Sequence, residues 1–350
     1  MTKESAKVTE LGELGEFKLI DHLTNNIPLI HHSTIKGVGD DAAVMDYGGD
    51  EYTIMTTDML SEGIHFDLIY TPLKHLGYKA AVVNFSDIYA MNAVPKQMTV
   101  SLAVSGKFSF EALNELYEGI YKACENYDVD LVGGDTTSSL TGLTISITVI
   151  GTAPKDRLTY RNSAQINDII CVTGDLGAAY MGLQLLEREK KVFQETGVQN
   201  QSDLSGYEYI IERLLKPEAR KGLGPLLKEH DIQPTSMIDI SDGLSSDVLH
   251  ICNTSQCGCK IFKEQIPIAE ETGKMAKKMN LEPTICAMNG GDDYELLFTV
   301  SIDDYDKIKG VQGISMIGHI TDKENGAYLY PPQGEPIEIK AQGWNSFLEE

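Results

Sequence analysis

The spacing of apolar and polar residues along the chain predicts a mixed α/β fold. Apolar residues recur at near-helical intervals over 73–93 and over 110–127, a pattern that is typical of helices with one buried side. Shorter apolar or alternating runs at 98–104, 143–151 and 169–173 have the length of strands. Because helical and strand-like segments alternate, neither an all-helical nor an all-β protein is expected.

The remaining pattern predicts a hairpin and further elements. Gly48, Gly49 and Asp50 separate the runs 42–47 and 52–57, and such a turn predicts two antiparallel strands. Other strands are predicted at 131–134, 238–240, 294–300, 313–320 and 327–330, and other helices at 177–187 and 244–252. The polar stretch 190–206 is predicted to be a loop or an insertion.

A turn-rich stretch at 151–168 interrupts the pattern and marks the predicted domain boundary. We expect an N-terminal domain at 1–155, which binds nucleotide and metal and forms a dimer, and a C-terminal domain at 156–350, which completes a cleft. A chain of 350 residues is long enough for two domains with a core each.

Composition and charge narrow the possible classes of protein. With 29 Lys and Arg against 52 Asp and Glu, the net charge is −23, which argues against a nucleic-acid partner. A hydrophobic fraction of 42% argues against intrinsic disorder. No apolar run is long enough to span a membrane, and no signal peptide is found, so no membrane partner is expected. The six scattered cysteines lack the spacing of a zinc site and indicate a reducing, cytoplasmic location.

Several acidic residues adjoin apolar runs, where they can converge on one cleft. Asp41, Asp58 and Asp135 each lie at the end of such a run, although any single aspartate is more often a turn or capping residue. Asp50, in a polar hairpin, is predicted to be only a turn residue of this kind. Asp87 lies inside a predicted apolar helix, where an unpaired carboxylate is costly to bury unless it binds a cation.

Oxygen-rich ligand sets without His or Cys favour Mg²⁺, Ca²⁺ or Mn²⁺ over zinc. Asp239, Ser241 and Asp242 add three such oxygens in one short turn, and no EF-hand loop is present. Because Mg²⁺ is usually bound by a few carboxylates together with substrate phosphates, the acidic turns predict a multi-metal site for a polyphosphate. The P-loop and protein-kinase motifs are absent.

Taken together and in order, seven short motifs resemble those of the thiamine-monophosphate kinases. They are Gly15-Glu16-Phe17, Gly39-Asp40-Asp41-Ala42-Ala43, Thr56-Thr57-Asp58-Met59-Leu60 with Glu62-Gly63-Ile64-His65-Phe66, Asn84-Phe85-Ser86-Asp87-Ile88, Gly133-Gly134-Asp135-Thr136-Thr137, Ile240-Ser241-Asp242-Gly243-Leu244 and Asp293-Tyr294-Glu295-Leu296-Leu297-Phe298. The resemblance extends from about Gly15 to Trp344. It implies the two-domain α/β fold of the aminoimidazole ribonucleotide synthetase superfamily, a homodimer formed by the N-terminal domains, and conversion of ATP and thiamine monophosphate into ADP and thiamine diphosphate.

The resemblance also implies roles for individual residues. The implied ligands of several Mg²⁺ ions are Asp41, Thr56, Thr57, Asp58, Asp87, Asp135, Asp239 and Asp242, and Asp41, Asp58, Asp87, Asp135 and Asp242 are the implied catalytic residues among them. The implied contacts to ATP are Tyr117, Gly134, Asp135, Arg161 and Ser241, and those to thiamine monophosphate are His65, Asp292 and Trp344. The family usually has Glu where this chain has Asp292, which is one methylene shorter.

The implied chemistry needs no strong general base. A phosphate monoester has a second pKa of about 6 and is largely ionised near neutral pH. The expected mechanism is therefore direct in-line transfer, assisted by Mg²⁺. Two alternatives stay open: another ATP-using enzyme of the same superfamily, and a non-catalytic protein that binds divalent cations.

Overall fold

A computed structural model describes residues 16–196 and 204–341, which form a mixed α/β structure. The helices are α1 (Glu16–Thr24), α2 (Leu73–Ala90), α3 (Phe110–Tyr127), α4 (Ala178–Thr196), α5 (Glu208–Leu215), α6 (Leu223–Glu229), α7 (Leu244–Ser255), α8 (Glu270–Lys278), α9 (Pro283–Asn289) and α10 (Tyr305–Ile308). The strands are β1 (Thr34–Lys36), β2 (Ala43–Met45), β3 (Glu51–Ser61), β4 (Val94–Ser105), β5 (Asp130–Ser139), β6 (Thr144–Pro154), β7 (Ile169–Thr173), β8 (Ser236–Ile240), β9 (Gly258–Phe262), β10 (Glu295–Val300), β11 (Ile314–Thr321), β12 (Ala327–Tyr330) and β13 (Ile337–Glu338). None of the helices among these residues is both long and apolar enough to cross a membrane.

The first sheet has six strands in the order β1-β2-β3-β6-β4-β5, and helices α2 and α3 pack together beside it. The predicted hairpin of β2 and β3 is confirmed as an antiparallel pair. Two glycines let the helices approach closely. A Cβ atom on Gly77 would lie 1.9 Å from the carbonyl oxygen of Leu116, and one on Gly119 would lie 1.9 Å from that of Lys74. The backbones of α2 and α3 are therefore in direct contact.

The second sheet has seven strands in the order β13-β12-β9-β11-β7-β10-β8. Its strand β7 is buried throughout, with Ile169 and Cys171 in one apolar cluster and Ile170 and Val172 in another. This alternation follows from the two-residue period of a strand and shows that both faces of the sheet are covered. The cluster that contains Cys171 also contains core residues of the first sheet, so apolar packing is continuous between the two sheets.

All strands of the first sheet lie within 34–154 and those of the second within 169–338. The predicted boundary between residues 155 and 156 falls in the strand-free stretch between them. The division into two domains stays a prediction, because the shared apolar cluster joins the two sheets.

Several predicted boundaries are wrong. The helix predicted at 177–187 continues to Thr196, so the first part of the stretch predicted as a loop is helical, and 197–203 lie outside the described residues. Strand β3 continues past Asp58, and β5 continues past Asp135. Both strands are paired along their length with a neighbouring strand, so the polar residues at their ends also belong to the sheet.

Candidate active site

Three carboxylates from three different elements converge beside the first sheet. Asp41 precedes β2, Asp87 lies in α2 and Asp239 lies in β8, and one oxygen of each lies within 4.8 Å of the other two. We call these three residues the carboxylate cluster. Asp239 is opposite Leu296 in the register of β8 and β10, and it reaches Ser86 in α2. Acidic groups therefore meet at Asp87, and its role as a metal ligand stays a prediction.

Hydroxyl and amide groups fix the orientation of these carboxylates. Thr56 in β3 donates a 2.6 Å hydrogen bond to Oδ2 of Asp87, and Ser86 donates one of 2.7 Å to Oδ2 of Asp239. The Oδ1 atom of Asn84 accepts a 3.0 Å hydrogen bond from the backbone N–H of Asp58. Helix α2 thus holds the strand that carries Asp58 and the strand that carries Asp239.

Burial and mutual repulsion raise the pKa values of the acidic groups. Burial, followed by the nearby charge of Asp41, raises the pKa of Asp239 to about 8 and that of Asp58 to about 6. Burial, followed by the charges of Asp58, Asp239 and Asp41, also raises the pKa of Asp87 well above its ordinary value. The site therefore binds positive charge, either as protons or as a cation.

Arg161 supplies one positive charge to the rim of the cluster. Its guanidinium donates a 2.6 Å hydrogen bond to Oδ1 of Asp41, and its backbone N–H donates to Oδ1 of Asp40 at 3.3 Å. Burial opposes ionisation of the guanidinium, but the charges of Asp41 and Asp40 prevail and raise the pKa of Arg161. Burial and the charge of Asp41 raise the pKa of Asp40 to about 6.

The residues present fit a hard divalent cation. The Oδ2 atoms of Asp40 and Asp41 are buried and have no hydrogen-bond partner in the described part of the chain. The ammonium of Lys36 lies 3.8 Å from Oδ2 of Asp40, but this cation and Arg161 cannot balance Asp40, Asp41, Asp87 and Asp239 together. Anionic oxygens grouped at this separation are the ligands that Mg²⁺ and Mn²⁺ prefer.

A turn before β10 brings Asp292 to the end of β8. The backbone N–H of Asp292 donates to the carbonyl of Ser241 at 2.8 Å. The implied thiamine-monophosphate contact, Asp292, and the implied ATP contact, Ser241, are therefore neighbours. The next residue, Asp293, is fully buried and accepts hydrogen bonds from the backbone N–H of Gly177. Burial raises the pKa of Asp293 to about 8, although Arg213 lowers it. Asp293 therefore anchors the turn.

Asp135 and Thr57 do not join the cluster within one protomer. In the sheet register Asp135 lies beside Ser101, Ser101 beside Ser146, and Ser146 beside Met59. This row lies on the face opposite to Asp58, because alternate residues of a strand point to opposite sides. Three strand spacings of ~4.8 Å also separate β5 from β3, or about 14 Å. The implied metal ligands on the strands of the first sheet are thus divided between its two faces, with Thr56 and Asp58 on one and Thr57 and Asp135 on the other.

The other implied site residues lie around the cluster or apart from it. Gly134 is in β5 and Tyr117 is in α3, where its ring centroid lies 5.8 Å from that of Tyr121. His65 follows β3, and its Nδ1 accepts a 3.1 Å hydrogen bond from the backbone N–H of Ser61. Asp242 lies between β8 and α7. The prediction for Trp344 falls outside the described residues.

Two polar residues of α2 were missed as part of the site. Ser86 contacts Asp239, and the buried ammonium of Lys79 contacts Asp292 at 2.8 Å. Both are polar residues among the mostly apolar buried residues of the helix, and they are seven positions apart, or two helical turns. That spacing is the signal in the sequence that could have found them.

Comparisons with known proteins agree with this arrangement. Residues 39–153, which include most of the implied metal ligands, match the family model described as AIR synthase related protein, N-terminal domain. The chain is 33% identical to a thiamine-monophosphate kinase of Bacillus subtilis, covering 95% of this chain and 100% of that protein. It is 31% identical to that of Escherichia coli, covering 95% and 98% of the two chains.

A solved structure matches the same fold over the whole chain. It is AaThiL complexed with AMPPCP and TMP, with a TM-score of 0.82 and 28% sequence identity, covering 97% of this chain and 99% of that one. The Bacillus subtilis and Escherichia coli relatives cover nearly all of this chain at over 30% identity. The chain therefore belongs to the thiamine-monophosphate kinase family.

Proposed function

We propose that this protein transfers the terminal phosphoryl group of ATP to thiamine monophosphate, giving ADP and thiamine diphosphate. The observation that carries the proposal is the convergence of Asp41, Asp87 and Asp239, whose ligand oxygens lie within 4.8 Å of one another. Its similarity to full-length thiamine-monophosphate kinases supports the same reaction. So does the similar AaThiL structure, which holds an ATP analogue together with TMP.

The carboxylate cluster, with Thr56 and Asp58 beside it, is the proposed place for several magnesium ions. When bound, magnesium would neutralise phosphate charge and stabilise the transition state of an in-line transfer. Thr56 orients the Asp87 carboxylate and Ser86 orients that of Asp239, so the ligands are arranged before substrate binds. The acceptor phosphate is itself ionised near neutral pH, so the chain needs no strong general base.

The substrate contacts are proposed from the family motifs and from their places in the fold. Arg161 lies against Asp41 and Ser241 follows β8, so both can contact phosphates of ATP at the cluster. His65, Asp292 and Trp344 are proposed to contact thiamine monophosphate, and Asp242 is proposed as a further metal ligand. Acidic and aromatic side chains suit the cationic thiazolium ring of that substrate.

We also propose that the active unit is a homodimer that meets through the outer face of the first sheet. Large apolar side chains are exposed on its strands, among them Met55 by 41%, Met59 by 59%, Val94 by 46%, Val132 by 60% and Ile150 by 38%. Met55 and Ile150 are opposite each other in β3 and β6, and exposed apolar surface of this kind is typical of a protein interface. Because Asp135 lies on the same face as Met59 and Thr57, a second copy can bring its Asp135 beside Thr57 on that face and so complete the metal site.

An assay of ADP release with and without thiamine monophosphate tests the reaction. We expect Mg²⁺-dependent ADP release only when both substrates are present, with an equal amount of thiamine diphosphate measured by mass spectrometry. ADP release without thiamine monophosphate would favour another ATP-using enzyme of the superfamily. Mg²⁺ binding without turnover would instead favour a non-catalytic protein that binds cations.

A further inference from the structure

Lys79 is a buried cation on the helix that carries Asp87. Its side chain is only 5% exposed, and its ammonium contacts Oδ2 of Asp292 at 2.8 Å. A charge that is removed from water is costly unless it is paired. The partner comes from the turn before β10, so the ion pair joins α2 to the second sheet.

Both oxygens of the Asp292 carboxylate are held. Lys79 donates to Oδ2, and the hydroxyl of Tyr294 donates to Oδ1 at 2.9 Å. The side chain of Asp292 nevertheless remains 36% exposed. The carboxylate is therefore fixed in direction and is still open to a ligand.

The backbone beneath this carboxylate is fixed as well. Asp292 and Tyr294 both have left-handed φ angles, +60° and +51°, which residues other than glycine rarely adopt. Two hydrogen bonds to the end of β8 hold this conformation, from the N–H of Asp292 to Ser241 and from the N–H of Tyr294 to Ile240. A strained turn that is pinned at both residues is typical of a positioned functional group.

The same side of α2 reaches the second sheet at two points. Ser86 contacts Asp239 of the carboxylate cluster, and Lys79, two helical turns earlier, contacts Asp292. One rigid helix therefore sets the cluster and the Asp292 carboxylate relative to each other. A change at Lys79 would move the second group and leave the first in place.

We propose that Lys79 is a positioning residue, which directs the short Asp292 side chain toward the thiamine part of the acceptor. The inference rests on the proposed function. In place of the usual Glu, Asp292 has less reach, so its direction decides whether it contacts the cationic ring. Lys79 supplies that direction by holding one oxygen of the carboxylate.

The test compares Lys79→Met with Lys74→Met, a matched control on the same helix whose side chain is 57% exposed. For Lys79→Met we expect the KM for thiamine monophosphate to rise between about 10-fold and about 100-fold, the range for a lost hydrogen bond to a charged group. The KM for ATP should stay within about twofold, since the contacts of the cluster are unchanged. Lys79→Arg, which keeps the charge, should recover part of the loss. A rise in both KM values, or in neither, would overturn the proposal.

A double-mutant cycle with Asp292→Asn separates positioning from direct contact. If Lys79 acts through Asp292, the double variant should bind thiamine monophosphate no more weakly than Asp292→Asn alone. If the two losses multiply, Lys79 contacts the substrate by itself and the positioning role is wrong. The double variant removes both members of the ion pair, whereas Asp292→Asn alone leaves the buried ammonium of Lys79 unpaired. If Asp292→Asn fails to fold, the KM values of Lys79→Met, Lys79→Arg and Lys74→Met still test the proposal.

Calorimetric titration with thiamine monophosphate distinguishes a failure of the proposed function from a failure of the role of Lys79. Absence of binding and of turnover in the wild-type protein would refute the proposed function and the role of Lys79 with it. Wild-type binding with unchanged affinity in Lys79→Met would refute only the role of Lys79.

Discussion

The hydroxyl of Thr56 donates a 2.6 Å hydrogen bond to Oδ2 of Asp87 and thereby joins strand β3 to helix α2 at the carboxylate cluster. The same hydroxyl lies 3.3 Å from the carbonyl oxygen of Asp41. One short side chain thus sets two acidic residues relative to each other. The hydrogen bond also favours the ionised form of Asp87, although burial and neighbouring charges prevail in raising its pKa.

Asp87→Asn should abolish activity and stabilise the metal-free protein. Asn keeps the shape and can still accept the hydrogen bond from Thr56, but it cannot supply the anionic oxygen. We expect kcat to fall at least about 100-fold, the scale for losing one group that stabilises transition-state charge. Loss of a repelled, buried charge should raise the melting temperature without Mg²⁺.

Asp50→Asn is the control for this substitution, since Asp50 lies in the exposed turn between β2 and β3. Its activity and melting temperature should match those of the wild-type protein. Near wild-type turnover of Asp87→Asn at saturating Mg²⁺ would contradict the metal assignment.

Without divalent cations, the free energy of unfolding should fall as the pH rises. The pKa values of Asp58 and Asp239 are raised to about 6 and about 8 in the folded protein, so the native state holds protons that the unfolded chain has released. Stability is therefore lost from the ordinary carboxyl pKa, about 4, up to at least about pH 8. Added Mg²⁺ should raise the melting temperature more at about pH 8 than at about pH 5.5.

Thermal melts in EDTA and in Mg²⁺ across this window measure the effect. Asp239→Asn should reduce the slope of the upper part of the profile, because it removes one of the two groups with a pKa of about 8, the other being Asp293. A Mg²⁺ effect that does not change with pH would show that the clustered carboxylates do not bind the ion.

Much of the fold could be predicted, because the apolar residues of many strands and helices recur with the period of the element that they form. Helix α2 and the hairpin of β2 and β3 follow from that pattern. Strand β5 was predicted too short, because it continues as a polar, exposed segment that only its pairing with β4 reveals.

For the candidate site, sequence reasoning could single out acidic residues but not their arrangement in space. Asp87 could be singled out because an unpaired carboxylate in an apolar helix is costly to bury unless it binds a cation. That Asp135 lies on the opposite face of the sheet from Asp58 depends on the order of four strands, which no local pattern fixes. The contact between Lys79 and Asp292 joins residues 213 positions apart and likewise depends on tertiary structure.

Gly134→Ala should destabilise the first sheet. A Cβ atom at this position would lie 1.8 Å from the carbonyl oxygen of Val100, so β5 would have to move away from β4. We expect a loss of about 1–3 kcal/mol in the free energy of unfolding, the usual cost of overpacking. Urea denaturation measures this loss directly.

Gly133→Ala is the matched control, because its Cβ atom would meet only a side-chain carbon of Thr99 at 4.0 Å. Its free energy of unfolding should lie within about 0.5 kcal/mol of the wild-type value. Equal losses in the two variants would mean that the close approach of β5 to β4 does not set the cost.

Mixing two inactive variants should restore activity if each site takes Asp135 from the partner subunit. Asp135→Asn and Asp87→Asn are each expected to be inactive as homodimers. A mixed dimer has one site with both substitutions and one site with neither, since the two residues of a site come from different chains.

After random exchange, half of the dimers are mixed and half of their sites are intact, so about a quarter of wild-type activity should return. Exchange can be driven by mild denaturation and followed by pull-down through an affinity tag carried by one of the two variants, with mixtures of Asp87→Asn and Asp239→Asn as the control. Those two residues meet within one protomer, so their mixture should stay inactive. Recovery in neither mixture, with exchange demonstrated, would mean that Asp135 serves the site of its own chain or none.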